Sequence, residues 1–188
     1  MDNERLNILK LLIESKEETF SIRQISLHRK INYKSAYIST HQLAKEGIVA
    51  MKKQGNTTVC SYNNTFNSTV FQVEYQRQQE LLKRPDFKVL HNRLSKVKEQ
   101  FILLLFGSYA KGKEKKGSDI DLLLISDDPK PVEAQIRLIP LDIHLTHITY
   151  DSFTKMLKSK EFTVVSEAQK NNILLFGIED YYRLINNA

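Results

Sequence analysis

With 188 residues the chain has room for one medium domain or two small ones, because a compact core needs on the order of 50 residues or more. Its 41% hydrophobic and 27% charged content is that of an ordinary globular protein, and no apolar run nears the ~18 residues that span a bilayer, so membrane insertion is not expected. The net charge of +6 is concentrated: between Ser21 and Lys53 seven Lys and Arg residues accompany a single acid, Glu46. Such a cluster attracts phosphate backbones where the fold also presents a reading element, and is otherwise a solvated face. The start Met1-Asp2-Asn3-Glu4 lacks the basic and apolar pattern of a signal peptide, so the expected location is the cytoplasm. Cys60, the single cysteine, has no disulfide partner within the chain and suits a buried structural position.

From Asn3 to Ile13, Leu6, Ile8, Leu9, Leu11, Leu12 and Ile13 recur at helical spacing, and Asp2 or Asn3 can cap the start. Ser21 precedes Ile22 and Ile25, which predicts a short capped helix ending near Lys30. After a turn at Ile31 and Asn32, a third helix is expected from about Tyr33 to Glu46, stopped by Gly47. Ile48 to Met51 and Thr57 to Tyr62 alternate as strands around a Gln54-Gly55-Asn56 turn.

Three helices followed by a hairpin, with the entry Thr19-Phe20-Ser21, the Asn32-Tyr33 turn and the closing Lys45-Glu46-Gly47-Ile48-Val49, resemble a winged helix-turn-helix. The resemblance implies double-stranded DNA as a partner, with the third helix in the major groove and the wing from Lys52 to Thr57 against the backbone. Lys34, Ser35, Tyr37, Thr40, Lys52 and Lys53 are the candidate DNA contacts, and Ser39 and His41 are also expected to face solvent. The same fold used for dimerisation or protein contact is the alternative, since fold alone does not set function.

The polar stretch Asn63 to Ser68 marks a boundary, giving an expected first domain over 1–66 and a second over 67–188. A connecting helix occupies 67–84, with apolar spacing from Val70 to Leu82, and Pro85 interrupts it. Phe87, Leu90, Leu94 and Val97 mark the next helix.

Phe101 to Phe106 is a continuous apolar run, as in a strand buried on both faces, and ends in Gly107-Ser108. A basic loop with Lys111, Lys113, Lys115 and Lys116 leads to Ser118-Asp119-Ile120-Asp121 and a second apolar run, Leu122 to Ile125. Gly107 allows close backbone approach to a phosphate, and Ser108 can donate its hydroxyl and amide at a helix N-terminus. Strand alternation sends Asp119 and Asp121 to one face, where two adjacent carboxylates persist most comfortably around a hard cation such as Mg²⁺ or Mn²⁺.

Gly107-Ser108, the ten residues Tyr109 to Ser118, and then Asp119-Ile120-Asp121 resemble the signature of the minimal nucleotidyltransferases of the DNA polymerase β superfamily. The resemblance implies an α/β (α+β) architecture, a small mixed sheet flanked by helices, behind the winged helix. It also implies a third carboxylate on a neighbouring strand. Leu141 to Ile148 alternates with Asp142, His144 and Thr146 on one face, which makes Asp142 the candidate; His144 could assist, but reads first as a hydrogen-bonded structural histidine. The expected catalytic and metal-binding set is thus Asp119, Asp121 and Asp142, with Gly107, Ser108 and Lys111 on the triphosphate. The family places a full helix before the third acid's strand, whereas Pro129 and Pro131 leave room for only about two turns here.

In the tail, helices are expected from Asp151, over Phe162 to Lys170 and over Glu179 to Ile185, with Ile173 to Gly177 as a short apolar turn or strand. Tyr181, Tyr182 and Leu184 could stack a base, although aromatics at this spacing are more often core residues. The expected function is metal-dependent transfer of a nucleoside monophosphate, AMP from ATP in the first instance, to an acceptor hydroxyl. The family resemblance adds a partner tyrosine as acceptor, on a HEPN-type toxin, with this chain as the antitoxin. A DNA-binding regulator with a nucleotide-sensing or inactive transferase domain is the alternative. Oligomeric state, including a homodimer, stays open.

Overall fold

The computed structural model describes residues 2–158 and 163–187, and these divide into two units, one ending at Val73 and the other starting at Glu74. The first contains α1 (Asp2–Glu14), β1 (Phe20–Ser21), α2 (Ile22–Arg29), α3 (Tyr33–Lys45), β2 (Val49–Gln54) and β3 (Thr57–Tyr62). Local chemistry sets the helix starts. Ser21 and Gln24 form a reciprocal capping box on α2, and the Asn32 side chain accepts the Ser35 N–H at the head of α3. The strand β1 was not expected from the sequence; it pairs antiparallel with β3 beside β2, giving the order β1-β3-β2. Two residues are too short for a period to show. Cys60 is buried, and desolvation pushes its thiol pKa up to about 11, which suits a structural role.

The division between units falls inside α4 (Ser68–Leu81), later than the polar stretch that ends at Ser68. The helix changes character there. Val70 and Val73 are buried apolar residues of its first turns, whereas Glu74, Arg77 and Gln78 are buried polar residues of the next. The second unit continues with α5 (Pro85–Leu94), β4 (Ile102–Leu105), α6 (Gly107–Ala110), β5 (Ile120–Ile125), α7 (Lys130–Ile136), β6 (Ile143–Ile148), α8 (Tyr150–Lys158), α9 (Val164–Lys170), β7 (Ile173–Phe176) and α10 (Ile178–Asn186). The expected helix from Phe162 begins at Val164 behind the Thr163 cap, and Phe162 itself lies outside the described residues.

The sheet order is β6-β5-β4-β7; β5 pairs antiparallel with β4 and parallel with β6, so the sheet is mixed. Leu103, Leu105, Ile120, Leu122 and Leu124 pack on one face with Phe87, Leu90 and Leu94 of α5 and Val132 of α7. Ile102, Leu104, Leu123 and Ile125, on the other face, are equally buried, which is why β4 and β5 read as continuous apolar runs. The parallel β5 to β6 connection holds α7, whose seven residues match the two turns that the prolines allow.

One polar cluster is set deep in this unit. Arg77 Nη1 donates to Glu74 Oε2 at 2.6 Å and Nη2 to the Asn172 carbonyl at 2.6 Å, while the Tyr182 hydroxyl donates to Glu74 Oε1 at 2.6 Å. Gln78 donates to the Leu175 carbonyl at 2.8 Å. Glu74 is fully buried and Arg77 is 5% exposed, so each charge depends on the other. Tyr181 and Tyr182 are buried beside them, and burial raises the Tyr181 pKa well above the usual phenol value. Arg77→Met leaves a buried carboxylate without its cation, and urea unfolding should show a loss of about 3–5 kcal/mol. Replacing Glu74 and Arg77 together should cost less than the sum of the single changes; additive effects would show that the pair is not coupled.

Candidate functional site

The β4 to β5 connection builds the candidate active site. Phe106 continues the ladder by donating its N–H to the Asp121 carbonyl at 3.0 Å, and the chain then turns into α6. That helix is a single turn of four residues, so the helix dipole expected behind Ser108 reduces to local backbone N–H groups. Gly107 adopts φ +70°, and a Cβ there would lie 2.2 Å from Asp121 Oδ2. Glycine is therefore needed twice, for the left-handed backbone and for room beside the carboxylate.

The loop after α6 is held from both sides. Lys113 N–H donates to the Ser108 carbonyl at 2.9 Å, and Lys115 N–H to Ser118 Oγ at 2.9 Å. Arg84 reaches Glu114 Oε1 at 2.6 Å and lies over the rings of Phe87 and Tyr109, at 5.3 and 4.9 Å. The Glu114 carboxyl is held below the ordinary carboxylate range, first by a hydrogen bond from its own backbone and then by Arg84. Lys111, Lys113, Lys115 and Lys116 are exposed, as phosphate contacts would require; Lys111 Nζ lies 3.4 Å from Glu167 Oε1 on α9.

Burial of Ile120, Leu122 and Leu124 turns Asp119 and Asp121 to the opposite side, at the open end of β5. In-register parallel pairing sets His144 of β6 directly opposite Asp121, with Nδ1 3.3 Å from Oδ1. Ligand atoms of Asp119, Asp121 and His144 all lie within 4.8 Å of one another, and among the described residues this is the group able to hold a metal ion. Asp142 is not in it. It is exposed, precedes β6, and accepts the Ile120 N–H on its backbone carbonyl at 2.8 Å. The His144 side chain is 65% exposed and meets Asp121, in keeping with the hydrogen-bonded histidine expected; His147 instead has its Nε2 2.8 Å from the Ser126 carbonyl. Alternation puts His144 on the acid face, but its position opposite Asp121 follows from strand pairing that no local pattern encodes.

The first unit has a separate groove of about 690 Å³, lined by Arg23, Tyr33, Tyr37, His41, Met51 and Asn56 among others. Tyr33, Tyr37 and His41 succeed one another along α3, with ring centroids 6.4 and 4.2 Å apart. Lys34, Lys52 and Lys53 are exposed and Ser35 is half-buried, its N–H already given to Asn32. Thr40 is a correction: it is 0% exposed and cannot touch DNA, because Ala36, Thr40 and Leu43 form the buried stripe of α3. Ser39 is buried with them, and a hydroxyl side chain adds nothing to the apolar period that would mark this face.

Residues 88–171 match the family described as "Nucleotidyltransferase domain". Among solved structures, one described as "Crystal structure of the toxin-antitoxin with AMP-PNP" shares 15% identity with a TM-score of 0.35, over 53% of this chain and 80% of that one. No curated protein matches the sequence. No helix among the described residues is long and apolar enough to cross a membrane.

Gly107→Ala forces a side chain into the left-handed region and against Asp121. The expected outcome is a loss of about 1–2 kcal/mol in urea unfolding, from backbone strain, together with weakened divalent-cation binding by calorimetry. Wild-type values for both would show that the close approach is not needed.

Proposed function

We propose that the second unit is a metal-dependent nucleotidyltransferase that moves a nucleoside monophosphate, AMP from ATP, to an acceptor hydroxyl. The observation that carries this reading is the meeting of Asp119 and Asp121 beside Gly107, inside a segment that matches a nucleotidyltransferase domain. The donor set fits a divalent cation, since the repulsion of two adjacent carboxylates on one face is relieved by a shared counter-charge and oxygen donors suit Mg²⁺ or Mn²⁺. Such an ion, when bound, would offset negative charge on the triphosphate during in-line displacement. Gly107 and Ser108 would present backbone N–H groups and a hydroxyl to the triphosphate, with Lys111 exchanging Glu167 for a phosphate oxygen. The acceptor oxygen forms its bond to the α-phosphorus, the bond to pyrophosphate breaks, and the acceptor's proton passes to Asp142. A tyrosine hydroxyl of a HEPN-type toxin is the proposed acceptor, on the strength of the family resemblance.

A second reading, that the chain is a winged-helix regulator whose transferase domain only senses nucleotide or is inactive, is favoured by the groove of the first unit, where Tyr33, Tyr37 and His41 gather beside Arg23. Strand alternation puts Lys53 on the same face of the wing as Met51, which lines that groove, and Lys52 on the other. Duplex DNA is the proposed occupant, held by Arg23, Lys34 and Lys53 with Tyr37 toward the bases.

Incubation with each labelled triphosphate, Mg²⁺ and candidate acceptors tests the first reading. Transfer should fall by on the order of 100-fold or more in Asp119→Asn with Asp121→Asn, because several kcal/mol of charge stabilisation is lost. An unchanged rate in that double variant would sink the assignment. For the groove, duplex affinity should fall with salt, and Lys34→Ala and Lys53→Ala should each reduce the log–log slope by about 0.9, more than Lys52→Ala does. Duplex binding without turnover on any acceptor would favour the regulator.

A further inference from the structure

We infer that His144, rather than a third carboxylate, completes the metal site, and that the site therefore prefers Mn²⁺ to Mg²⁺. The inference rests on the nucleotidyltransferase reading and deepens it by naming the third ligand and the class of ion. Its first support is position. Parallel in-register pairing holds His144 opposite Asp121, and the two ligand atoms stand 3.3 Å apart. Neighbouring ligands of an octahedral cation with bonds of ~2.1 Å are about 3.0 Å apart, and opposite ones about 4.2 Å. All three ligand atoms of Asp119, Asp121 and His144 fall within 4.8 Å of each other, so one ion can take all three after small side-chain adjustments.

Freedom of movement is the second support. The His144 side chain is 65% exposed, and no packing has to be broken for its ring to turn toward an ion shared with Asp121. Gly107, by lacking a Cβ 2.2 Å from Asp121 Oδ2, leaves that carboxylate room to turn as well. Asp142 lies outside the group, exposed and before the first residue of β6.

Preference follows from donor chemistry. Mg²⁺ is hard and favours oxygen ligands and water, whereas an imidazole nitrogen suits ions later in the divalent series, beginning with Mn²⁺. A set of two carboxylates and one imidazole should thus bind Mn²⁺ more tightly than Mg²⁺ for a reason carried by one side chain.

The test uses the full chain without nucleotide, so that it does not depend on turnover. Titration calorimetry with Mn²⁺ and Mg²⁺ gives the affinity ratio, and pulsed electron paramagnetic resonance detects ¹⁴N coupled to bound Mn²⁺. Wild type should show nitrogen coupling and tighter Mn²⁺ binding. His144→Ala should lose the coupling and about tenfold or more of the Mn²⁺ affinity while Mg²⁺ changes less. His144→Asp should lose the coupling but bind Mg²⁺ more tightly than wild type, which also shows that the site still folds. Mn²⁺ bound through Asp119 and Asp121 without nitrogen coupling, or with coupling that persists in His144→Ala, would overturn the role of His144 and leave the nucleotidyltransferase reading standing. So would a larger loss of Mn²⁺ affinity in Asp142→Asn than in His144→Ala. Absence of Mn²⁺ binding to the wild type would overturn the role of His144, whereas the transferase reading, whose cation can enter with the triphosphate, stands or falls with turnover.

Discussion

The two-residue period of β5 governs the second unit. Once Ile120, Leu122 and Leu124 are committed to the face covered by α5 and α7, Asp119 and Asp121 must point the other way. A slip of one residue would turn both carboxylates into the apolar layer beneath α5 and α7, and the cost of burying them without partners protects their geometry. Pairing on either side then supplies their neighbours. Antiparallel pairing with β4 brings the Gly107 turn against Asp121, and parallel pairing with β6 brings His144 to its other side. Site and core are two faces of one strand.

The polar cluster around Glu74 answers a different physical demand. Burying a carboxylate and a guanidinium costs several kcal/mol per ion, and the cost is offset by their mutual attraction and the hydrogen bonds around them. Glu74 accepts from Arg77 and Tyr182, and Arg77 also donates to the Asn172 carbonyl. Asn172 in turn donates to the Ala168 carbonyl at 2.6 Å and to the Tyr181 hydroxyl at 3.2 Å. Apolar contacts would tolerate sliding among α4, α9 and α10. Directional bonds to single carbonyls do not, and they define the placement of α9, which carries Glu167 and through it Lys111.

In the first unit α3 divides its residues sharply. One stripe, Ala36, Ser39, Thr40 and Leu43, is buried, and the opposite side presents Tyr33, Lys34, Tyr37 and His41. Exposed aromatics in file along a helix are costly unless something covers or stacks on them. Their meeting with Arg23 and Asn56 makes one concave surface from three segments far apart in sequence.

Local order along the chain was enough for most helix starts, the hairpin, the two apolar strands and the Gly107-Ser108 and Asp119-Asp121 pairings, because caps, turns and alternation act over two to four residues. The burial of Thr40, the charged pair inside α4, the strand β1 and the approach of His144 to Asp121 were not readable in this way. Each depends on which element lies alongside, and a hydroxyl, a carboxylate or an imidazole has no fixed preference until its neighbours decide whether it is solvated, hydrogen-bonded or placed beside a charge. Residue spacing therefore marked the candidate groups, and sheet register decided which of them meet, because pairing partners come from distant parts of the chain.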